Sequence, residues 1–194
     1  MDESEPENPE AEAPAPTPRT KPPLWQDPWF RFAGLFGLLA LISEIVYYAF
    51  ALESDLFRKY LEVLAAMSAW ILEHMTTGIS RRGTVIHGDL FSVQIAPGCD
   101  AYRICALLGS AILAFPARWK TKAIGLFFGL LWLNALNFVR IVGLYFIGAL
   151  YHPYFQESHE VYFPIFLICM TIAAWMIWVR SATDDLLERA RNAS

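Results

Sequence analysis

The chain has 194 residues, 56% apolar and 15% aromatic, with only 18% charged and a formal net charge of −4. A soluble domain usually carries about 25% charged residues. Here the charges crowd into the two tails and a few short loops, which excludes an ordinary water-soluble domain and leaves nothing that points to nucleic acid. The three cysteines, Cys99, Cys105 and Cys169, form no CxxC pair and no zinc-spaced Cys/His cluster, so neither a disulfide framework nor a metal site is expected.

Residues 1–27 are rich in Pro, Glu and Ala and bury too little apolar surface to offset their ordering entropy; a disordered cytoplasmic tail is expected. Its acidic start is unlike a secretory signal peptide. An apolar run from about Phe32 to Leu52 is long enough to cross a hydrocarbon core of about 30 Å, with Trp25, Trp29 and Phe30 as an interfacial belt. Glu44 interrupts this run and must face protein or water. From about Phe57 to Met75 the apolar residues recur at helical spacing, among them Leu61, Leu64, Ala65, Ser68 and Leu72. Arg58, Lys59, Glu62 and Glu73 punctuate this stretch, as in an interfacial amphipathic helix.

The segment Thr84 to Ile95, TVIHGDLFSVQI, alternates at Phe91, Val93 and Ile95 and carries a Gly88-Asp89 turn, so a short β-hairpin outside the hydrocarbon is expected. Pro97-Gly98 breaks the strand before Cys99. A short helix follows from about Tyr102 to Phe115, closed by Pro116. Beyond the basic loop ARWKTK, a long apolar helix runs from about Ala123 to Leu150 and contains Arg140. After the polar loop YHPYFQESHE, a last apolar helix runs from about Val161 to Val179, and the charged tail includes Arg180, Arg189 and Arg191. The fold class is therefore an all-α integral membrane protein, a multi-pass bundle of about four or five membrane helices with a short extracytoplasmic β-hairpin. Its membrane domain spans 28–181, followed by a cytoplasmic tail over 182–194. If the N-terminus is cytoplasmic, the Phe57 helix does not cross; if that helix crosses, the N-terminus is outside.

The basic 118–122 loop and the tail after Arg180 are separated by two spans and lie on one side, the cytoplasmic one by the positive-inside rule. Cys99 and His159 then fall at the outer ends of their spans. Arg140 lies roughly 10–15 Å below the outer end of its helix at 1.5 Å per residue. A thiol, a histidine able to move protons near neutral pH and a permanently charged intramembrane arginine are the parts for acyl transfer through a thioester. Arg140 needs an anionic or polar partner: a thiolate, an oxyanion, a substrate carboxylate or Glu44. Cys105 and Cys169 sit mid-span and read as packing residues, and His152, His74 and His87 as solvated ones.

These segments resemble a known family. The stretches APGCDAYRICALLGSAILAFP, NALNFVRIVGLYFIG and ESHEVYF, with the order Cys, N-x-x-R, His, are similar to the exosortase/archaeosortase family over about residues 80–180, most of all to its exosortase H branch. The resemblance implies a multi-pass enzyme of the bacterial inner membrane with its site facing the periplasm. Its partners would be membrane-anchored proteins bearing a C-terminal motif, a transmembrane helix and a basic tail. It implies Cys99 as nucleophile, Arg140 as catalytic arginine and His159 as third member, with no metal or organic cofactor. Many members are expected to carry glycine two residues after the nucleophile; here Ala101 stands there. Two other readings remain: a thiol redox or thiol-acyltransferase enzyme, which needs a second functional thiol, and a non-enzymatic transporter subunit in which Arg140 binds an anion.

Overall fold

The computed structural model describes residues 27–51 and 53–192; all of the expected N-terminal tail except Asp27 lies outside these. Helix α1 (Pro28–Val46) starts where capping chemistry requires: Asp27 accepts from the Trp29 amide at 2.9 Å and Pro28 occupies the first turn. A π-helical turn (Tyr47–Ala51) follows. Helix α2 (Asp55–Glu73), N-capped by Ser54, is amphipathic, burying Phe57, Leu61, Leu64, Ala65 and Leu72. Helix α3 (Tyr102–Ala114) ends at Phe115, whose extended backbone is what Pro116 demands of its predecessor. Helix α4 (Trp119–Leu150) leads through a 3₁₀ turn (His152–Tyr154), a helical turn α5 (Phe155–Glu157) and a second π turn (Ser158–Tyr162) into α6 (Phe163–Asn192).

Among the described residues, three helical segments are long and apolar enough to cross a membrane: 28–49, 119–150 and 152–188; α3 is a shorter apolar helix. Together α1, α3, α4 and α6 form an up-and-down bundle, with α3 against α1, α4 and α6. Helix α1 shows almost its whole apolar surface to the outside, an arrangement stable in lipid but not in water. Helix α4 is the central element. Leu133 and Leu136 pack with Leu108, Ile112 and Leu167 in one cluster, while Ile141 and Tyr145 pack with α2 and the sheet in the other.

The expected hairpin is there as β2 (Val85–His87) and β3 (Ser92–Gln94), paired antiparallel with Ile86 opposite Val93. It is part of a three-stranded sheet in the order β1-β2-β3. Strand β1 (Ser80–Arg82), fully exposed, carries no alternation by which Ser-Arg-Arg could be read as a strand. The sheet lies against the C-terminal half of α4. A Cβ on Gly148 would fall 2.4 Å from the Phe91 ring, so only glycine admits this approach. Helix α2 touches Asp100 near its start and packs on β1 and β2. Both its ends are thus at the end of the bundle that carries the sheet, and it covers that end rather than crossing. Two boundaries extend the sequence reading. Helix α4 starts at Trp119, where Lys122 donates to the terminal α3 carbonyl of Leu113 at 2.6 Å. Helix α6 runs on through the charged tail, which contains neither Gly nor Pro.

Leu72 and Ile86 are both fully buried between α2 and the sheet. Leu72→Ala is expected to destabilise the protein by about 2–5 kcal/mol, read as a lowered melting temperature in detergent. Met67→Ala, on the exposed face of the same helix, is expected to stay within about 0.5 kcal/mol of the parent.

Candidate active site

The loop from Ala96 to Ala101 joins β3 to α3. The Cys99 amide donates to the Ala96 carbonyl at 2.9 Å, with Pro97 and Gly98 at the central positions and Gly98 at φ +94°. That is the signature of a type II turn, whose third residue must tolerate positive φ. Cys99 therefore sits in a turn three residues before α3, not in its first turn.

Asp100 anchors this loop. Its carboxylate is buried and accepts from the Tyr47 hydroxyl at 2.7 Å, the Gly98 amide at 3.3 Å and the Tyr102 amide at 2.9 Å. The Asp100 carbonyl accepts from Tyr60 on α2 at 3.0 Å. Burial, and then the Asp100 charge, push the Tyr60 phenol up to about 12, so it remains a donor at neutral pH. From α4, Asn137 donates to the Cys99 carbonyl at 2.8 Å and Arg140 to the Gly98 carbonyl at 3.2 Å. Four elements thus hold one turn: the first π turn, α2, α3 and α4.

The Cys99 sulfur lies 3.7 Å from His159 Nε2, within thiol–imidazole hydrogen-bonding reach. Both side chains are half-buried. His159 projects from the second π turn, and Phe155 stacks on its ring with centroids 6.0 Å apart. Both line a cleft of about 450 Å³ bounded by β3, α4 and the 155–160 turns. Arg140 is buried one turn of chain away through Gly98. Its Nε, like Asn137 Oδ1, is buried without a partner among the described residues. Ser68 Oγ and Trp175 Nε1, away from this site, share that property.

The structure thus brings Cys99 and His159 into contact and ties Arg140 to the residue before Cys99. It does not pair Arg140 with Glu44, which faces Arg103 at 3.5 Å across α1 and α3. His152 is exposed and packs on Phe91. Cys105 accepts from Asn134 at 3.8 Å in the other core cluster, and Cys169 is exposed. No cluster of three or more His, Cys, Asp or Glu that could hold a metal occurs among the described residues. Four residues of this constellation received no role from the sequence. Asp100 and Asn137 stood inside the motifs already singled out, whereas nothing local marked Tyr47 or Tyr60.

Residues 28–175 match the family model of the transmembrane exosortases (Exosortase_EpsH). The chain belongs to that family. No curated protein and no solved structure matches it. In this exosortase the position two residues after Cys99 carries unusual backbone geometry: Ala101 has φ +56°, the one non-glycine residue at positive φ among those described. A left-handed L-residue is strained by roughly 1–2 kcal/mol, and glycine would relieve this at the cost of extra chain entropy. Ala101→Gly is accordingly expected to stabilise the exosortase by about 0.5–1 kcal/mol. Asp100→Ala, which strands the Tyr102 amide and the Tyr47 hydroxyl proton and leaves the Gly98 amide only its 3.2 Å bond to the Tyr47 oxygen, is expected to destabilise it by about 2–4 kcal/mol. Paired melting curves in detergent read both signs.

Proposed function

We propose that this exosortase is a membrane cysteine endopeptidase or transpeptidase that cleaves C-terminal sorting signals of exported proteins, most like the exosortase H branch. The observation that carries the reading is the 3.7 Å contact between the Cys99 thiol and His159 in an open cleft. A membrane-anchored substrate carries a short motif, a transmembrane helix and a basic tail. Its helix lies beside the bundle and presents the motif at the cleft.

His159 takes the Cys99 proton as the sulfur attacks the scissile carbonyl. Arg140, with Nε unpartnered, stabilises the negative charge that develops on sulfur or on the carbonyl oxygen. Collapse of the tetrahedral intermediate expels the amine, which His159 protonates, and leaves a thioester on Cys99. Water, or an amine from an envelope glycan or lipid, then attacks the thioester, gives its proton to His159 and restores the thiol. Every step uses side chains of this chain alone.

The basic residues Arg118, Lys120 and Lys122 and those of the C-terminal tail lie at the end opposite Cys99, which supports an inner-membrane orientation with the cleft toward the periplasm. In a chain stripped of native cysteines, Leu90→Cys is expected to react with an impermeant thiol reagent on intact spheroplasts, and Lys120→Cys only after lysis. The reverse pattern sinks the orientation.

Activity is tested by co-expressing the enzyme with a reporter bearing a host sorting tail and following reporter size on gels. Cys99→Ala and His159→Ala are expected to lower processing by about 10³-fold or more, and Arg140→Lys by about 10²-fold. Cys105→Ala, in a separate core cluster, is expected to process normally. Processing that survives Cys99→Ala overturns the mechanism.

A further inference from the structure

The sheet ends in an edge strand that leads straight to the nucleophile. Strand β3 pairs only with β2. The Phe91 carbonyl accepts from the Gly88 amide, and the Ile95 amide donates to the Thr84 carbonyl, each at 2.9 Å. With Ile86 opposite Val93, the alternation of an antiparallel ladder turns the main-chain groups of 91, 93 and 95 toward β2. Those of Ser92 and Gln94 therefore point the other way, and they meet no partner among the described residues. They face the cleft that holds Cys99 and His159, whose lining takes in every residue from Phe91 to Cys99.

An unpaired edge is ordinarily a liability that proteins cover, shorten or charge. The opposite edge of this sheet is charged by Arg81 and Arg82, whereas β3 presents Ser92 and Gln94, which are neutral. The floor beside β3 is apolar, with Phe91 and Phe155 rings 5.0 Å apart between centroids and Leu144 beneath. Across it, Gln156 donates to Glu160 on the far wall. A free strand edge, an apolar hollow and a nucleophile in line are the parts of strand addition, in which main-chain bonds hold an extended peptide and alternate side chains are read by pockets.

We propose that the segment of the substrate preceding its membrane helix binds as a fourth strand on β3, bonded through the Ser92 and Gln94 main chains. One apolar side chain sits at Phe91, Leu144 and Phe155, and the scissile carbonyl comes to lie against Cys99. This rests on the sorting-protease reading above and adds how that enzyme holds its substrate.

Proline at an outward-pointing position removes a donor toward the substrate without breaking the bonds to β2. Gln94→Pro is expected to process the reporter about tenfold less than Gln94→Ala, which keeps the amide. Arg81→Pro, the equivalent change on the far edge, is expected to process as the parent does. Equal processing by Gln94→Pro and Gln94→Ala overturns the proposal. A second measurement does not depend on how well the proline variant folds. In a Cys99→Ala background that retains substrate, Gln94→Cys is oxidised against single cysteines walked along the reporter motif. Disulfides at every second residue are expected. A three-to-four-residue period, or no disulfide, overturns strand addition. The two readings fail separately: reporter cleavage without Cys99 sinks the protease, while Cys99-dependent cleavage indifferent to residue 94 sinks only the added strand.

Discussion

The architecture depends on a buried carboxylate. Asp100 is 2% exposed, and a carboxyl group so removed from water must be met by hydrogen-bond donors to offset its lost hydration. It is met by a phenol from the end of α1 and by two amides of its own loop. The first helix and the third are thereby joined through one side chain. Two carbonyls of the turn that carries Cys99 are also claimed, by Asn137 and Arg140. A loop residue is ordinarily mobile; Cys99 sits in a turn whose Gly98 and Cys99 carbonyls and Asp100 carboxylate are all hydrogen-bonded.

Two solvents divide the remaining work. In the lipid-facing part the helices are apolar nearly all round, and specificity comes from small-residue contacts such as Gly125 against Trp178. In the water-facing part α2 and the sheet make an ordinary soluble core over the ends of the spans. The site lies on the seam. There Arg140 is buried, and a charge removed from water is weakly screened.

Hydropathy made the spans legible, because twenty apolar residues have few alternatives. The same was true of α2, whose charges recur at the wrong spacing for a clean crossing, and of the Phe91–Ile95 strand, whose alternation is strict. Strand β1 was not legible, since three exposed polar residues acquire strand geometry only from their neighbour. The Cys99, Arg140 and His159 set could be assembled from motif and topology. The partners of Asp100 could not: Tyr47 and Tyr60 are ordinary interfacial tyrosines until a residue 53 and 40 positions further along the chain folds back on them. Glu44 was an open candidate for Arg140 because both are intramembrane charges. Which of two cations it meets is decided by helix rotation, and no sequence period fixes that.

Two of the residues discussed, Tyr47 and His159, are the first and the second residue of π turns. Such a turn holds one residue more than an α-helical turn, a local misfit found frequently at functional sites. Each residue along a helix advances about 100°. Removing one residue from 158–162 would heal the hydrogen-bond ladder and swing everything ahead of it by that angle, carrying His159 off the cleft while leaving the helix better formed. In the register of this chain a one-residue gap at either position is therefore a change of geometry rather than of length, and an alignment that closes such gaps for tidiness would erase the contact between Cys99 and His159.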